Sequence, residues 1–183
     1  MRILILVVLV GFFSCSNNVG ENRPKEELYT YDVEDKISNL GIELPEPSKP
    51  VANYVNSVRT GNLVFMAGKG PTRPNGELVT GKVGKDLTIE TGYEAARLSG
   101  ITQLAALKSE IGDLNKVVRI VKVLGMVNSD STFTNHPEVI NGFSDLMVEV
   151  FGDRGKHARA AVGMGSLPRN IAVEIEMIVE VRD

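Results

Sequence analysis

The sequence is poor in the residues that most often support metal, disulfide or nucleic-acid chemistry. Its 183 residues include one cysteine, two histidines and no tryptophan, and the formal net charge is −3. One thiol cannot form an internal disulfide, and so few histidines and cysteines do not make the common zinc sites. An acidic chain without tryptophan also lacks the basic face and stacking platforms of nucleic-acid binders. We therefore expect no disulfide framework, no metal site and no nucleic-acid partner.

Long apolar runs are also absent, except at the N-terminus. Arg2 precedes the apolar run Ile3–Phe13, which suits a secretion signal and is too short for a transmembrane helix, since that needs about 18 residues. Cys15, the only cysteine, follows where a bacterial lipoprotein signal places its lipidated residue. We predict a signal peptide at residues 1–15, with Cys15 lipidated, and an exported protein anchored in the bacterial cell envelope on its periplasmic or surface side. Ordinary cleavage nearby, leaving an unmodified cysteine, is the alternative.

The remainder divides into an N-terminal connector and one domain. Residues 16–30 are polar and lack apolar periodicity, which is typical of a tether. A short helix is predicted within Tyr31–Leu40, and the proline-rich segment 45–50 ends it. We therefore assign residues 16–50 to a tether and N-terminal extension, and residues 51–183 to the functional domain.

Hydrophobic periodicity predicts an α+β fold for this domain. The predicted order is ββαβαββ, with elements at Val55–Arg59, Leu63–Ala67, Thr88–Ile111, Val117–Val127, Pro137–Phe151, Ala158–Gly165 and Ile171–Val181. Two helices can cover only one face of such a sheet. The second face must therefore meet either water or another subunit.

The strand from Ala158 to Gly165 carries an unusual pattern. Alternate residues on one side are apolar, namely Ala160, Val162 and Met164. The other side carries an arginine followed by small residues: Arg159, Ala161, Gly163 and Gly165. Small residues beside a fixed positive charge are expected to leave open volume. The pattern therefore favours a cleft for a small anion.

Two further features are interpreted as structural. Gly76–Lys82 has the spacing of a phosphate-binding loop, but Val83 stands where a serine or threonine would bind Mg²⁺. We interpret this segment as a chance match. His136, just before a helix, is expected to face solvent. His157 could line a cleft near Arg159, but a surface loop is the favoured interpretation.

The C-terminal segment resembles the RidA/YjgF family of reactive enamine/imine deaminases. The family hallmark is Arg-x-x-Val, then Leu-Pro, then a strand of the type Val-Glu-Ile-Glu, and this chain has it in Ala158–Pro168 and Val173–Glu176. Shorter similarities lie at Pro50–Val55, Ala67–Pro71 and Val139–Asn141. The resemblance implies a chorismate mutase-like fold with two helices on one sheet face. It also implies a homotrimer with a cleft at each subunit interface.

The resemblance also implies roles for individual residues. Arg159 matches the arginine that holds the substrate carboxylate, and Glu174 matches the glutamate associated with the attacking water. Cleft-lining positions are matched by Tyr54, Gly68 and Asn141. Lys69 replaces a family glutamine and would add a second positive charge near the cleft. A purely structural alternative is that Arg159 and Glu174 pair across the subunit seam.

The implied reaction is hydrolysis of 2-aminoacrylate-type enamine/imine 2-carboxylates to 2-oxo acids and ammonia, without metal or organic cofactor. The residue types suit it, because a guanidinium binds a carboxylate bidentately and a carboxylate can assist the addition of water. The alternative is a non-catalytic trimer that binds a small carboxylate or a partner in the cell envelope. Glu174 favours the enzyme, whereas export and Lys69 favour the binding module. A ribonuclease is disfavoured because the chain is acidic.

Overall fold

The structure is a computed structural model that describes residues 27–47 and 49–183. The predicted signal peptide, Cys15 and the first part of the tether lie outside these residues, so the lipid anchor stays a prediction. Within the described ranges, no helix combines the length and hydrophobicity that crossing a bilayer requires.

The predicted strands and helices are present in the predicted order. The strands are β1 (Ser57–Thr60), β2 (Leu63–Lys69), β3 (Val117–Asn128), β4 (Ala158–Met164) and β5 (Val173–Val181). The α-helices are α1 (Val33–Asn39), α2 (Ile89–Ile111) and α3 (His136–Phe151). The α+β class and the ββαβαββ order of the domain are therefore confirmed.

All five strands form one sheet in the order β1-β2-β5-β3-β4. Neighbouring strands are antiparallel except β3 and β4, which are parallel. Parallel neighbours need a crossover connection, and α3 provides it between β3 and β4. Strands β1 and β4 are therefore the two edges of the sheet.

Helices α2 and α3 pack on one side of the sheet, which we call the helix face. Every second residue of β5 is buried there: Val173, Ile175, Met177, Val179 and Val181. The residues between them point to the other side, the open face. On that face Val58 and Phe65 are 57 % and 42 % exposed. The prediction that two helices cover a single face is therefore confirmed.

The close packing of α2 on α3 depends on a glycine next to a predicted site residue. A Cβ atom on Gly142 would overlap the carbonyl oxygen of Tyr93 in α2. Only glycine lets the two backbones approach this closely. Gly142 thereby sets the position of α3, which carries the adjacent Asn141.

The N-terminal extension is docked on the domain from residue 27 onward. Val33 and Ile37 of α1 are buried in the main core. The Tyr29 hydroxyl donates to the Val117 carbonyl at 2.6 Å, and the Arg154 guanidinium donates to the carbonyls of Leu28 and Val118. The bonds to Val117 and Val118 satisfy carbonyl groups at the start of β3, and the bond to Leu28 ties the extension to Arg154. Residues 28–44, which belong to the predicted tether and extension, are therefore part of the folded body.

Candidate functional site

Arg159 extends from β4 to helix α3. Its Nη1 donates to Asn141 Oδ1 and to Ser144 Oγ, both at 2.9 Å, and its Nη2 lies 3.5 Å from the Pro137 carbonyl. Both hydrogens of Nη1 are used in this way. The Nε–Nη2 edge has no further partner among the described residues. That edge carries two parallel N–H groups, which is the geometry that binds a carboxylate bidentately.

Strand β4 turns the side that carries Arg159 and the small residues toward the helices. Arg159, Ala161 and Gly163 lie on the helix face, whereas Val162 is 39 % exposed on the open face. A Cβ atom on Gly163 would overlap the imidazole of His136. The small residues therefore make room for α3, and the space beside Arg159 that we predicted to be open is partly filled by this helix.

The two histidines are also more enclosed than predicted. His136 is only partly exposed, because its Nε2 lies 3.1 Å from Ser129 Oγ and its ring packs edge-on against Phe133. His157 is half-buried against Phe143. His157 does lie in the loop just before β4, as interpreted, but its ring is enclosed and does not stand at the surface.

Ser144 and His157 complete the surroundings of Arg159 and were missed as site residues. Ser144 Oγ lies 3.1 Å from His157 Nε2 while accepting from Arg159. The available signal was spacing, because Asn141 and Ser144 are three residues apart and hence share one side of a helix. His157 directly precedes β4 and is two residues before Arg159, a spacing that places side chains of extended backbone on the same side.

Glu174 lies on the open face of β5, directly over Gly68 of β2. A Cβ atom on Gly68 would overlap the Glu174 carboxylate, so the glycine permits this close contact. Burial raises the pKa of Glu174, and the negative charge of Glu176 raises it further. A carboxyl group with a raised pKa is better suited to exchange protons near neutral pH.

Lys69 is buried at the end of β2 and does not face Arg159 within one chain. Its Nζ donates to Asn56 Oδ1 at 2.6 Å, and burial lowers its pKa. The pairing of β2 with β5 is irregular just before Lys69. Gln103 of α2 bridges this gap by donating to the carbonyls of Ala67 and Ile175 at 2.9 and 2.6 Å.

Within one chain, the predicted site residues form two separate groups. Arg159 and Asn141 meet at the β4 edge on the helix face, whereas Glu174 and Gly68 meet on the open face. Strand β3 lies between β4 and β5, so the two groups are separated by two strand spacings, about 10 Å. Tyr54 precedes β1, at the opposite edge, and is 51 % exposed. The structure does not bring Arg159 and Glu174 together in a single chain.

The open face also carries a largely apolar depression. Its volume is about 400 Å³, and the apolar side chains lining it include Val55, Val58, Phe65, Leu124 and Ile178. Glu176 lines the same depression. An exposed apolar surface of this kind is typical of an interaction site.

Comparisons with known proteins agree with this architecture. A family model described as "YjgF/chorismate_mutase-like, putative endoribonuclease" matches residues 34–181. A Trypanosoma cruzi protein named TCP17 is 39 % identical over 152 residues, which are 82 % of this chain and 95 % of TCP17. The solved structure of Atu1372, a protein of unknown function from Agrobacterium tumefaciens, is 42 % identical with a TM-score of 0.76. The match covers 82 % of this chain and 94 % of the Atu1372 chain.

A more distant relative has a named activity. The 2-iminobutanoate/2-iminopropanoate deaminase of Escherichia coli K12 is 27 % identical over 133 residues, which are 70 % of this chain and 87 % of that protein. The names of TCP17 and Atu1372 specify no reaction.

Proposed function

This chain belongs to the YjgF/chorismate mutase-like family, and we propose that it hydrolyses small reactive enamine or imine 2-carboxylates to 2-oxo acids and ammonia. The Escherichia coli relative named as an imine deaminase supports this reaction class. The observation that carries the proposal is the orientation of Arg159. Asn141 and Ser144 use both hydrogens of Nη1, and the Nε–Nη2 edge has only one contact among the described residues, that of Nη2 with the Pro137 carbonyl at 3.5 Å, which leaves this edge for a substrate carboxylate.

The proposed site is shared between two subunits of a homotrimer. One chain places Arg159 on the helix face and Glu174 on the open face, so the two residues of a single chain cannot act on the same substrate molecule. A second copy seated on the open face would bury the exposed Val58 and Phe65 and carry its own β4 edge toward Glu174. Three such heterologous contacts close into a ring.

The chemistry needs one anchor and one group that exchanges protons. Arg159 holds the carboxylate of the 2-imino acid. The imine reacts in its protonated form. Glu174 takes a proton from water as the water oxygen adds to the carbon of the C=N bond, and the electron pair of that bond moves to nitrogen, which gives a neutral carbinolamine. Glu174 then returns its proton to the nitrogen of the tetrahedral carbinolamine. The carbon–nitrogen bond breaks as the carbinolamine hydroxyl gives its proton to the Glu174 carboxylate, and ammonia and the 2-oxo acid leave.

The direct test is a deamination assay in which a separate lyase generates 2-aminoacrylate from serine. We expect the protein to accelerate release of ammonia and pyruvate above the spontaneous rate in water. Calorimetry with pyruvate as a probe reports carboxylate binding separately. Binding without acceleration would favour the non-catalytic carboxylate-binding trimer. If the protein shows no binding and no acceleration, both functions are refuted.

The pH dependence of turnover should report the environment of Glu174. Its raised pKa places the acidic limb of kcat/KM above the usual glutamate range, because the base works only when ionised and activity falls as pH drops through that pKa. Glu176→Gln removes the neighbouring negative charge, so the limb should move to lower pH.

Glu180→Gln is the matched control for this shift. Glu180 lies on the same face of β5 but pairs with Arg119 and Asn62, and it does not contribute to the Glu174 pKa. If the acidic limb of kcat/KM stays at the same pH in Glu176→Gln, or moves equally far in Glu180→Gln, then the ionisation of Glu174 does not determine that limb.

A further inference from the structure

His157 is held between two hydrogen-bonding groups behind Arg159. Its Nδ1 lies 2.6 Å from the Gly155 carbonyl oxygen, which can only accept, so Nδ1 carries a hydrogen. Its Nε2 lies 3.1 Å from Ser144 Oγ. Phe143 packs edge-on against the ring, with the centroids 6.1 Å apart. The imidazole is therefore fixed in position and bonded through both nitrogens.

The donors in this group all follow one direction. The Arg159 guanidinium can only donate, so Ser144 Oγ accepts from Nη1. In neutral His157 with its hydrogen on Nδ1, Nε2 is an acceptor, and the Ser144 hydroxyl donates to it. The chain runs from Arg159 to Ser144 to His157 to the Gly155 carbonyl. Each N–H or O–H hydrogen along this series points to one acceptor, and no two hydrogens point at each other.

We propose that Ser144 and His157 are positioning residues that fix the Arg159 guanidinium, so that its Nε–Nη2 edge is presented to the substrate carboxylate. This inference rests on the role of Arg159 in the proposed function. Without Ser144, Nη1 would keep one bond, to Asn141, and Nη2 would keep only its long contact of 3.5 Å with the Pro137 carbonyl, so the guanidinium plane would have more freedom to turn. The second bond, to a serine that is itself oriented by His157, removes that freedom.

The surroundings of His157 support the neutral form that this arrangement requires. Burial lowers its pKa, and the positive charge of Arg159 lowers it further, against the opposing effect of the Gly155 hydrogen bond. Helix α3 contributes only the uncharged Ser144 and Phe143 to this contact. A protonated imidazole would donate from both nitrogens. Ser144 Oγ would then have to accept from Arg159 and from His157, and its own hydroxyl hydrogen would lose His157 Nε2 as an acceptor.

The test uses the full-length protein and reads the order of Arg159 directly. The ¹⁵N relaxation of the Arg159 Nε–H group should show an ordered side chain, and side-chain ¹⁵N shifts should show His157 as the Nδ1–H tautomer. Ser144→Ala should disorder Arg159 and weaken pyruvate binding about tenfold. Ser144→Thr, which keeps the hydroxyl, should restore both. His157→Phe keeps the ring contact with Phe143 and should loosen Arg159 as Ser144→Ala does.

Ser99→Ala is the matched serine control, because Ser99 is buried in α2 and its hydroxyl has no partner in the described structure. It should leave Arg159 ordered and binding unchanged. If Ser144→Ala also leaves the order of Arg159 and the affinity unchanged, the positioning role is refuted, whatever Arg159→Ala does. If Arg159→Ala binds pyruvate as tightly as the wild type, the proposed function fails, and the relaxation data still decide whether Ser144 and His157 order Arg159.

Discussion

Replacing Arg159 with alanine should abolish detectable binding of small carboxylates while leaving the fold intact. The loss of a charge-assisted bidentate contact costs a few kcal/mol, or roughly two orders of magnitude in affinity. Turnover at ordinary substrate concentrations should fall with it. Arg159→Lys keeps the charge but not the planar fork, and Lys lacks the geometry to satisfy Asn141, Ser144 and a carboxylate together. It should therefore recover only a small part of the affinity.

Arg97→Ala is the matched arginine control. Arg97 of α2 pairs with Glu149 of α3 at 2.7 Å on the outer surface of the helices, and exposed pairs of this kind contribute little to stability. This variant should bind pyruvate like the wild type. Calorimetry measures the affinities, and thermal unfolding measures the folded state. Undiminished binding in Arg159→Ala would contradict the assignment of Arg159 as the carboxylate anchor.

Glu174→Gln should fail in a different way from Arg159→Ala. Glutamine keeps the shape that fits over Gly68 but cannot accept a proton from water. We expect deamination to fall by about 10²–10⁴-fold. Pyruvate should bind as well as before or better, because a negative charge has been removed. Full activity in this variant would show that Glu174 is not the base.

The helix-facing side of β5 could be predicted from the sequence because burial on one side imposes a period of two. Val173, Ile175 and Met177 alternate with charged residues along a strand that is paired on both sides. Strand β4 offers no such signal. It is an edge strand that pairs only with β3, and it has small or apolar residues on both sides, so alternation alone could not show which side meets α3.

The surroundings of Arg159 were beyond prediction for a related reason. Ser144 lies on α3 and His157 precedes β4 by one residue, and their contact depends on how closely α3 approaches the sheet. That distance is set by Gly142 and Gly163, whose role shows only in three dimensions. Tyr29 is similar. Its polar neighbours suggested a tether, yet its hydroxyl reaches the first residue of β3.

The largest gain in activity should come from combining two inactive variants. Light scattering should first show that wild type, Arg159→Ala and Glu174→Gln are all trimers, since neither change touches the apolar part of the open face. If each cleft takes Arg159 from one subunit and Glu174 from the next, a mixed trimer contains some complete clefts. In an equal mixture with random subunit exchange, roughly a quarter of the clefts should carry both residues. Activity should therefore rise from near zero to about a quarter of the wild-type value.

The opposite arrangement makes a different prediction for the same mixture. If Arg159 and Glu174 acted together within one chain, no chain in the mixture would carry both residues, and activity would stay at the level of the parents. The double variant Arg159→Ala/Glu174→Gln, exchanged with either single variant, supplies the control, because no pairing of these chains restores a complete cleft. An inactive mixture of exchanged trimers would refute the shared cleft, and so would a wild-type protein that remains monomeric at low micromolar concentration. If the two halves of the site lie on opposite faces of one sheet, activity should recover in the mixture of Arg159→Ala with Glu174→Gln and in neither mixture that contains the double variant.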